Sequence, residues 1–529
     1  MKKNIVSLLL AVVITASMLA GCGKQDLGST LVAKETTSEC AAEEMYVEVD
    51  NSRDYATADI APEYEESVEW YSNEVVEDSL STFAADVDTA SYSSLRKMID
   101  YGYSLRMIPK DEIRTEELVN YFTYNYEEPS KGEVFGVNAQ VSGCPWNQEH
   151  QLMTIGINTS KMDNEDIPDC NIVFLIDVSG SMSSDNKLPL IQKTMAMLVD
   201  SFDENDRISI VTYASGVETV LDGCKGDEDR KIIKAFEGLE TGGSTNGGDG
   251  IKMAYKIAQK NYIEDGVNRV IICSDGDFNV GLTTQKELED MISKKKDSGI
   301  FLSTLGFGMG NYSDATMETL ADKGNGNYAY IDDLTEAKRV LVDEMTSTFV
   351  TVAKDVKLQV EFNPAVVSEY RLIGYDNRVM ADRDFKDDTK DGGELGAGHQ
   401  VTAIYEIVLA SDNDIDLKYQ DKKLSNKGAK GDEYCTMTIA YKEPEGLKSR
   451  YIEYPIGTEC YSINPNSDFR LAAAVAQASL AIKDSNLLVD MSPEDALMSS
   501  ASIIRTLRRA YTDEYVAEFG DMLEELMEN

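Results

Sequence analysis

The sequence predicts an α/β protein. A doubly wound, mainly parallel sheet is inserted in a β-sandwich-like domain formed by both flanks, and helices follow at the C-terminus. Three observations carry this expectation. Between Pro168 and Phe349, short apolar runs alternate with segments of helical periodicity. Strand-like stretches separated by turn residues lie on both sides of that region. Beyond residue 468 the chain turns Ala-rich and amphipathic. Repeated strand–helix alternation favours a parallel sheet covered on both faces, because parallel neighbours need a crossover connection.

At the N-terminus, Lys2 and Lys3 precede an apolar run from Ile5 to Ala20, and Leu19-Ala20-Gly21-Cys22 follows. A basic start, a short apolar core and a small-residue exit predict a secretory signal over residues 1–21. The run is short against the roughly 20 residues that span a bilayer. Leu19 to Cys22 resembles a bacterial lipobox, which implies that Cys22 is acylated and anchors the chain to the outer face of a bacterial cell membrane. Residues 22–78 are rich in Asp, Glu, Ser and Thr, so they bury too little apolar surface to order themselves and predict an acidic tether.

Residues 79–167 predict helices and strands: Phe83 to Tyr92 leading into a helix, Arg114 to Tyr121 as a second, and strands at Phe135–Val141 and Leu152–Ile157. Residues 168–350 form the central module. Its strands are Asn171–Ile176, Arg207–Tyr213, Arg269–Cys273, Ile300–Leu305 and Tyr328–Ile331. Its helices are Leu188–Phe202, Arg230–Leu239, Gly250–Tyr262, Thr284–Lys296, Met317–Asp322 and Leu334–Phe349. Residues 351–460 are β-rich, at Val356–Phe362, Val401–Leu409, Cys435–Tyr441 and Tyr451–Ile456. Residues 461–529 are helical, at Leu471–Ile482, Ala496–Leu507 and Tyr515–Leu526.

Composition excludes several functions. Lys plus Arg number 50 against 94 Asp plus Glu, a net charge of −44, which opposes nucleic-acid binding because that needs clustered cations. Only His150 and His399 are present, which removes most imidazole chemistry. The eight cysteines form no CxxC pair, so zinc-ribbon and thioredoxin chemistry are not indicated; Cys435 with Cys460 is one pairing to examine. Asp275-Gly-Asp277 starts like a calcium loop but lacks its later Gly and Glu.

Ligands of doubly wound sheets bind beyond the carboxyl ends of the strands. Three oxygen-rich segments fall there: Asp177-Val-Ser179-Gly-Ser181, Gly243-Ser-Thr245, and Ser274-Asp275. Hard divalent cations take such oxygen ligands. The combination of DxSxS with a separate Thr and a separate Asp resembles the metal-ion-dependent adhesion site of von Willebrand factor A domains. Phe83 to Tyr92, Glu116 to Phe122, Arg269 to Gly281 and Gly324 to Tyr330 are similar to the bacterial YfbK-type lipoproteins.

The resemblance implies that Ser179 and Ser181 ligate Mg²⁺ directly, with Mn²⁺ or Ca²⁺ as substitutes. Thr245 would join when a ligand is bound, and Asp177 and Asp275 would act directly or through water. It further implies a non-enzymatic lipoprotein whose under-neutralised cation takes a carboxylate from a protein partner. An envelope assembly factor is the alternative, and a hydrolase is opposed by the missing nucleophile motifs. By analogy, the final helix Leu334–Phe349 would slide along the sheet to change affinity.

Overall fold

The structure is a computed structural model that describes residues 73–75, 77–162, 167–244, 247–276, 285–296, 298–308, 314–410, 432–444, 446–511 and 514–529. The expected signal segment, Cys22, most of the acidic tether, Thr245 and Asp277 lie outside these residues. Before the central module come β1 (Asn73–Glu74), β2 (Leu80–Ala84), α1 (Ala90–Asp100), α2 (Thr115–Asn120), β3 (Phe135–Gly143) and β4 (Gln151–Thr159). The module itself opens with β5 (Cys170–Asp177), α3 (Leu188–Leu198), β6 (Arg207–Tyr213), β7 (Val217–Lys225), α4 (Asp229–Glu237) and α5 (Gly247–Lys260). It continues with β8 (Val267–Ser274), α6 (Gln285–Lys296), β9 (Phe301–Phe307), α7 (Asp314–Lys323), β10 (Tyr328–Ile331), α8 (Leu334–Lys338) and α9 (Met345–Phe349).

The central sheet runs β10-β9-β8-β5-β6-β7, parallel except for the β6–β7 pair. Every residue of β5 is buried, as its unbroken apolar run requires of a strand covered on both faces. Alternate side chains serve opposite layers. Ile172, Phe174 and Ile176 pack with α3 and α4, whereas Val173 and Leu175 pack with α5 and α7. The order places β6 on one side of β5 and β8 on the other, so the switch point lies beside the end of β5.

Two elements of the central module differ from expectation. Strand β7 was not predicted, because Glu218, Thr219 and Asp222 break its apolar run on an exposed sheet edge. The expected continuous helix from Leu334 to Phe349 is divided by a π-type turn at Arg339–Asp343. There Glu344 N bonds Arg339 O at 2.8 Å, five residues back. The slip coincides with the buried Arg339, whose guanidinium bonds Glu336, Glu344 and Thr89.

After the module come β11 (Thr351–Phe362), β12 (Val367–Ile373), β13 (Gly393–Gly396), β14 (Gln400–Leu409), β15 (Glu433–Lys442), β16 (Arg450–Gly457), α10 (Ser467–Ile482), α11 (Pro493–Leu507) and α12 (Glu514–Glu528). The flanks build two sheets together. One runs β1-β12-β14-β4-β3; the other runs β13-β11-β15-β16, with β2 also pairing β11. Strand β4, from before the module, pairs antiparallel with β14, from after it. One apolar core fills the space between the sheets, with Met153, Ile155 and Tyr405 facing Leu358, Val360 and Met437. Leu152, Ile373 and Ile404 contribute instead to a second core with α1, α2, α10, α11 and α12, making a third layer.

Among the described residues the cysteines are free thiols, Cys435 and Cys460 included, so the pairing considered for them is not present. Cys435 faces the core, with its thiol 4.0 Å from the Met153 sulfur. Cys273 is a fully buried filler in β8, as its apolar setting predicts.

Candidate metal centre

Strand β5 carries its apolar run to Asp177 and there leaves the sheet. Val178 N bonds Tyr213 O at 3.0 Å, and Val178 O accepts from Gly242 N at 2.7 Å, which fixes the strand end between two loops. The Asp177 carboxylate turns back on its own chain: Oδ1 accepts from Ser179 N at 2.8 Å. This Asx-type turn leads into a short 3₁₀ segment at Gly180–Ser183, closed by the buried Met182. It also brings the Ser179 and Ser181 hydroxyls to 3.0 Å of each other.

Asp177 is fully buried. Its Oδ2 is buried as well and makes no well-formed hydrogen bond among the described residues, although the Ser179 and Tyr213 hydroxyls lie near enough to favour the charged carboxylate. Burial pushes the carboxyl up to about 6, the Ser179 amide pulls against this, and the nearby Asp275 carboxylate adds to the rise. An orphaned buried carboxylate oxygen beside two paired hydroxyls and a second carboxylate is a donor set that suits a hard cation.

Asp275 follows β8, across the switch point from Asp177, and is 6% exposed. The structure therefore brings Asp177, Ser179, Ser181 and Asp275 to one end of the sheet. Thr245 lies outside the described residues. The loop leading to it is stitched to the Asp177 turn by Gly180 N on Gly243 O at 3.2 Å, and to the loop after β6 by Ser244 N on Ser215 Oγ at 3.0 Å. Cys22 also lies outside the described residues.

One residue of the site escaped sequence reasoning. Lys187, just before α3, reaches Asp275 with Nζ 2.8 Å from Oδ2, and the two side chains are only 12% and 5% exposed. A single lysine ahead of an apolar helix carries no sequence signal of this kind. Its partner stands 88 residues away.

Other titratable groups gather away from the Asp177 turn. His150 pairs with Glu406, and His399 Nδ1 accepts from Gly396 N at 2.9 Å, both within the flanking β-layers. Asp355, Asp391 and Glu394 gather their oxygens within 4.8 Å of one another. Lys442 and Lys296 bond the first two, at 2.5 Å and 2.9 Å, whereas Glu394 Oε1 is buried without a hydrogen-bond partner among the described residues. A cavity of about 960 Å³ lies at the amino ends of the central strands, lined by Val267, Phe301 and Phe349, away from the Asp177 turn.

Comparison with known proteins agrees with this architecture. A family model described as von Willebrand factor type A domain matches residues 171–343. Another, described as the C-terminal region of uncharacterized protein YfbK, matches residues 347–527, and a third, described as von Willebrand factor, matches residues 60–154. The chain is 41% identical over 426 residues to uncharacterized protein YfbK of Escherichia coli (strain K12), covering 78% of this chain and 73% of that one. It is 25% identical over 196 residues to uncharacterized protein sll0103 of Synechocystis, covering 37% of this chain and 45% of that one. Among solved structures, the von Willebrand factor type A protein from Catenulispora acidiphila is similar with a TM-score of 0.40 and 14% identity. That match covers 73% of this chain and 88% of the other.

Proposed function

The chain belongs to the YfbK family, built around a von Willebrand factor type A domain, and on that premise we propose that it is a cation-dependent, non-catalytic binding protein anchored outside the cell membrane. Ser179, Ser181 and Asp177, with Thr245 and Asp275, would hold Mg²⁺. The observation that carries this reading is the buried, unpartnered Asp177 Oδ2 next to the Ser179–Ser181 hydroxyl pair.

The ligand set explains why such a site would bind rather than react. Hydroxyls are neutral, so a cation held mainly by them keeps excess positive charge, which a partner's carboxylate can satisfy. The bound ion would supply that short-range attraction. It matters here because a chain of net charge −44 repels an acidic partner at longer range. Catalysis by Ser179 or Ser181 would need a base, and both histidines are engaged in the β-layers.

Calorimetric titration with Mg²⁺ tests the site: wild type binds, and Asp177→Ala loses binding. An unchanged affinity in Asp177→Ala removes the proposed centre. Capture of an envelope protein should vanish with EDTA and return with Mg²⁺. Anchoring through an acylated Cys22 predicts that Cys22→Ser leaves the membrane fraction and takes up no labelled palmitate.

A further inference from the structure

We propose that Lys187 is a built-in competitor for the cation: its ammonium holds the Asp275 carboxylate when no divalent ion is present, and gives it up when one binds. This inference rests on the metal-site reading above and names the regulation of that site.

The geometry makes Lys187 a fitted occupant. Its ammonium lies 2.8 Å from Asp275 Oδ2, and both side chains are largely buried. The aliphatic stem lies against Gly308. A Cβ added there would stand 2.1 Å from Lys187 Cε, 2.7 Å from Cγ and 2.9 Å from Cδ, so a bare glycine is what admits the stem. Gly308 has φ +82°, a backbone state that glycine adopts without strain. The Tyr330 hydroxyl donates to its carbonyl at 2.5 Å, which holds the cradle in place. The Lys187 backbone is tied at both ends, by its own N–H to Ser184 O and by Ile191 N–H to its carbonyl.

Charge decides the competition. Asp177 and Asp275 supply two negative charges to the site, and Lys187 cancels one of them. A divalent ion entering beside a seated ammonium meets a like charge next to the largely buried Lys187–Asp275 pair, where screening is weaker than in open solvent. The ammonium therefore withdraws towards solvent as the ion enters, and divalent affinity is set below what the oxygen ligands alone would give.

Mn²⁺ binding to the full chain, read by electron paramagnetic resonance of the free ion, tests this with wild type, Lys187→Met, Lys187→Arg and Asp177→Ala. Lys187→Met, which keeps the stem and removes the charge, should bind about tenfold tighter or better. Lys187→Arg should bind no tighter than wild type, and Asp177→Ala should not bind. A Lys187→Met affinity equal to or below wild type, with Asp177→Ala still inactive, overturns the competitor role and leaves the metal site standing. No binding by any of the four overturns both. A readout on the unmutated protein guards against a folding defect: Lys187 should be protected from reductive methylation in EDTA and become reactive in Mg²⁺. Equal labelling in the two conditions counts against the proposal.

Discussion

Arg96 and Asp332 form a two-pronged buried ion pair, with Nη2 2.6 Å from Oδ1 and Nε 2.9 Å from Oδ2. The first residue lies on α1, in the N-terminal flank, and the second directly follows β10, the last strand of the central module. Glu336 on α8 shares the same guanidinium at 3.2 Å and accepts the Tyr121 hydroxyl at 2.6 Å. Tyr121 in turn stacks on Tyr92 with ring centroids 3.5 Å apart. The exit from the module is thus pinned to helices encoded before it.

Arg96→Met removes the cation and leaves Asp332 buried without its main partner. Such a break costs about 3–5 kcal/mol. Urea unfolding should show that loss, and the double variant Arg96→Met/Asp332→Asn should regain part of it. A double variant no more stable than the single one would show that the two residues are not coupled.

Mg²⁺ should raise the melting temperature of wild type and leave that of Asp177→Ala unchanged. At a concentration 100 times the dissociation constant, the stabilisation is about 2.7 kcal/mol. Differential scanning calorimetry with and without EDTA reads it directly. An equal rise in both proteins would place the responsible ion elsewhere.

Glu116, on α2, gives the contact between α2 and the turn after β12 a pH dependence of definite sign. Burial raises its carboxyl to about 7, and the Asp86 carboxylate contributes in the same direction. Its Oε2 accepts from Tyr375 N at 2.8 Å. Because the folded form holds the proton more tightly than the unfolded one, this contribution is complete below pH 4.5 and is lost as pH rises through about 7. Glu116→Gln keeps an acceptor oxygen without the charge. The variant should exceed wild type in stability at pH 8 by about 3 kcal/mol and match it near pH 4. Denaturation midpoints across that range test the sign.

Gly326 lies where the chain passes under β9. A Cβ at that position would stand 2.0 Å from the Leu302 carbonyl oxygen, a backbone atom held within the sheet. Gly326→Ala should destabilise the protein by about 2–3 kcal/mol through that overlap. Gly216→Ala, which meets nothing within 4 Å, serves as the control and should shift thermal unfolding little.

What was legible follows from how far each signal extends along the chain. Strand β5 and the Asp177–Ser181 turn stood out because burial on both faces and the ligand spacing are written in consecutive residues. Strand β12 did not, although β14 and β1 flank it on both sides. Ser368, Glu369 and Arg371 interrupt its apolar pattern, and an irregularity in register lies between Val367 and Glu369. The sharing of both sheets by the flanks was inferred from strand-like text on either side, but its registers, such as Met153 opposite Tyr405, depend on pairing across the whole module. Lys187 was missed for the same reason: its role exists only once Asp275 has been folded against it.

Only Val350 separates the end of α9 from the start of β11. Strand β11 is gripped on one edge by β15 and on the other by β2 and β13. Any lengthwise travel of the last helix must therefore drag a strand that is hydrogen-bonded along both edges. That junction ties the end of the module to the flanking sheet, so a pull on the module would enter that sheet at one strand end and load many hydrogen bonds together.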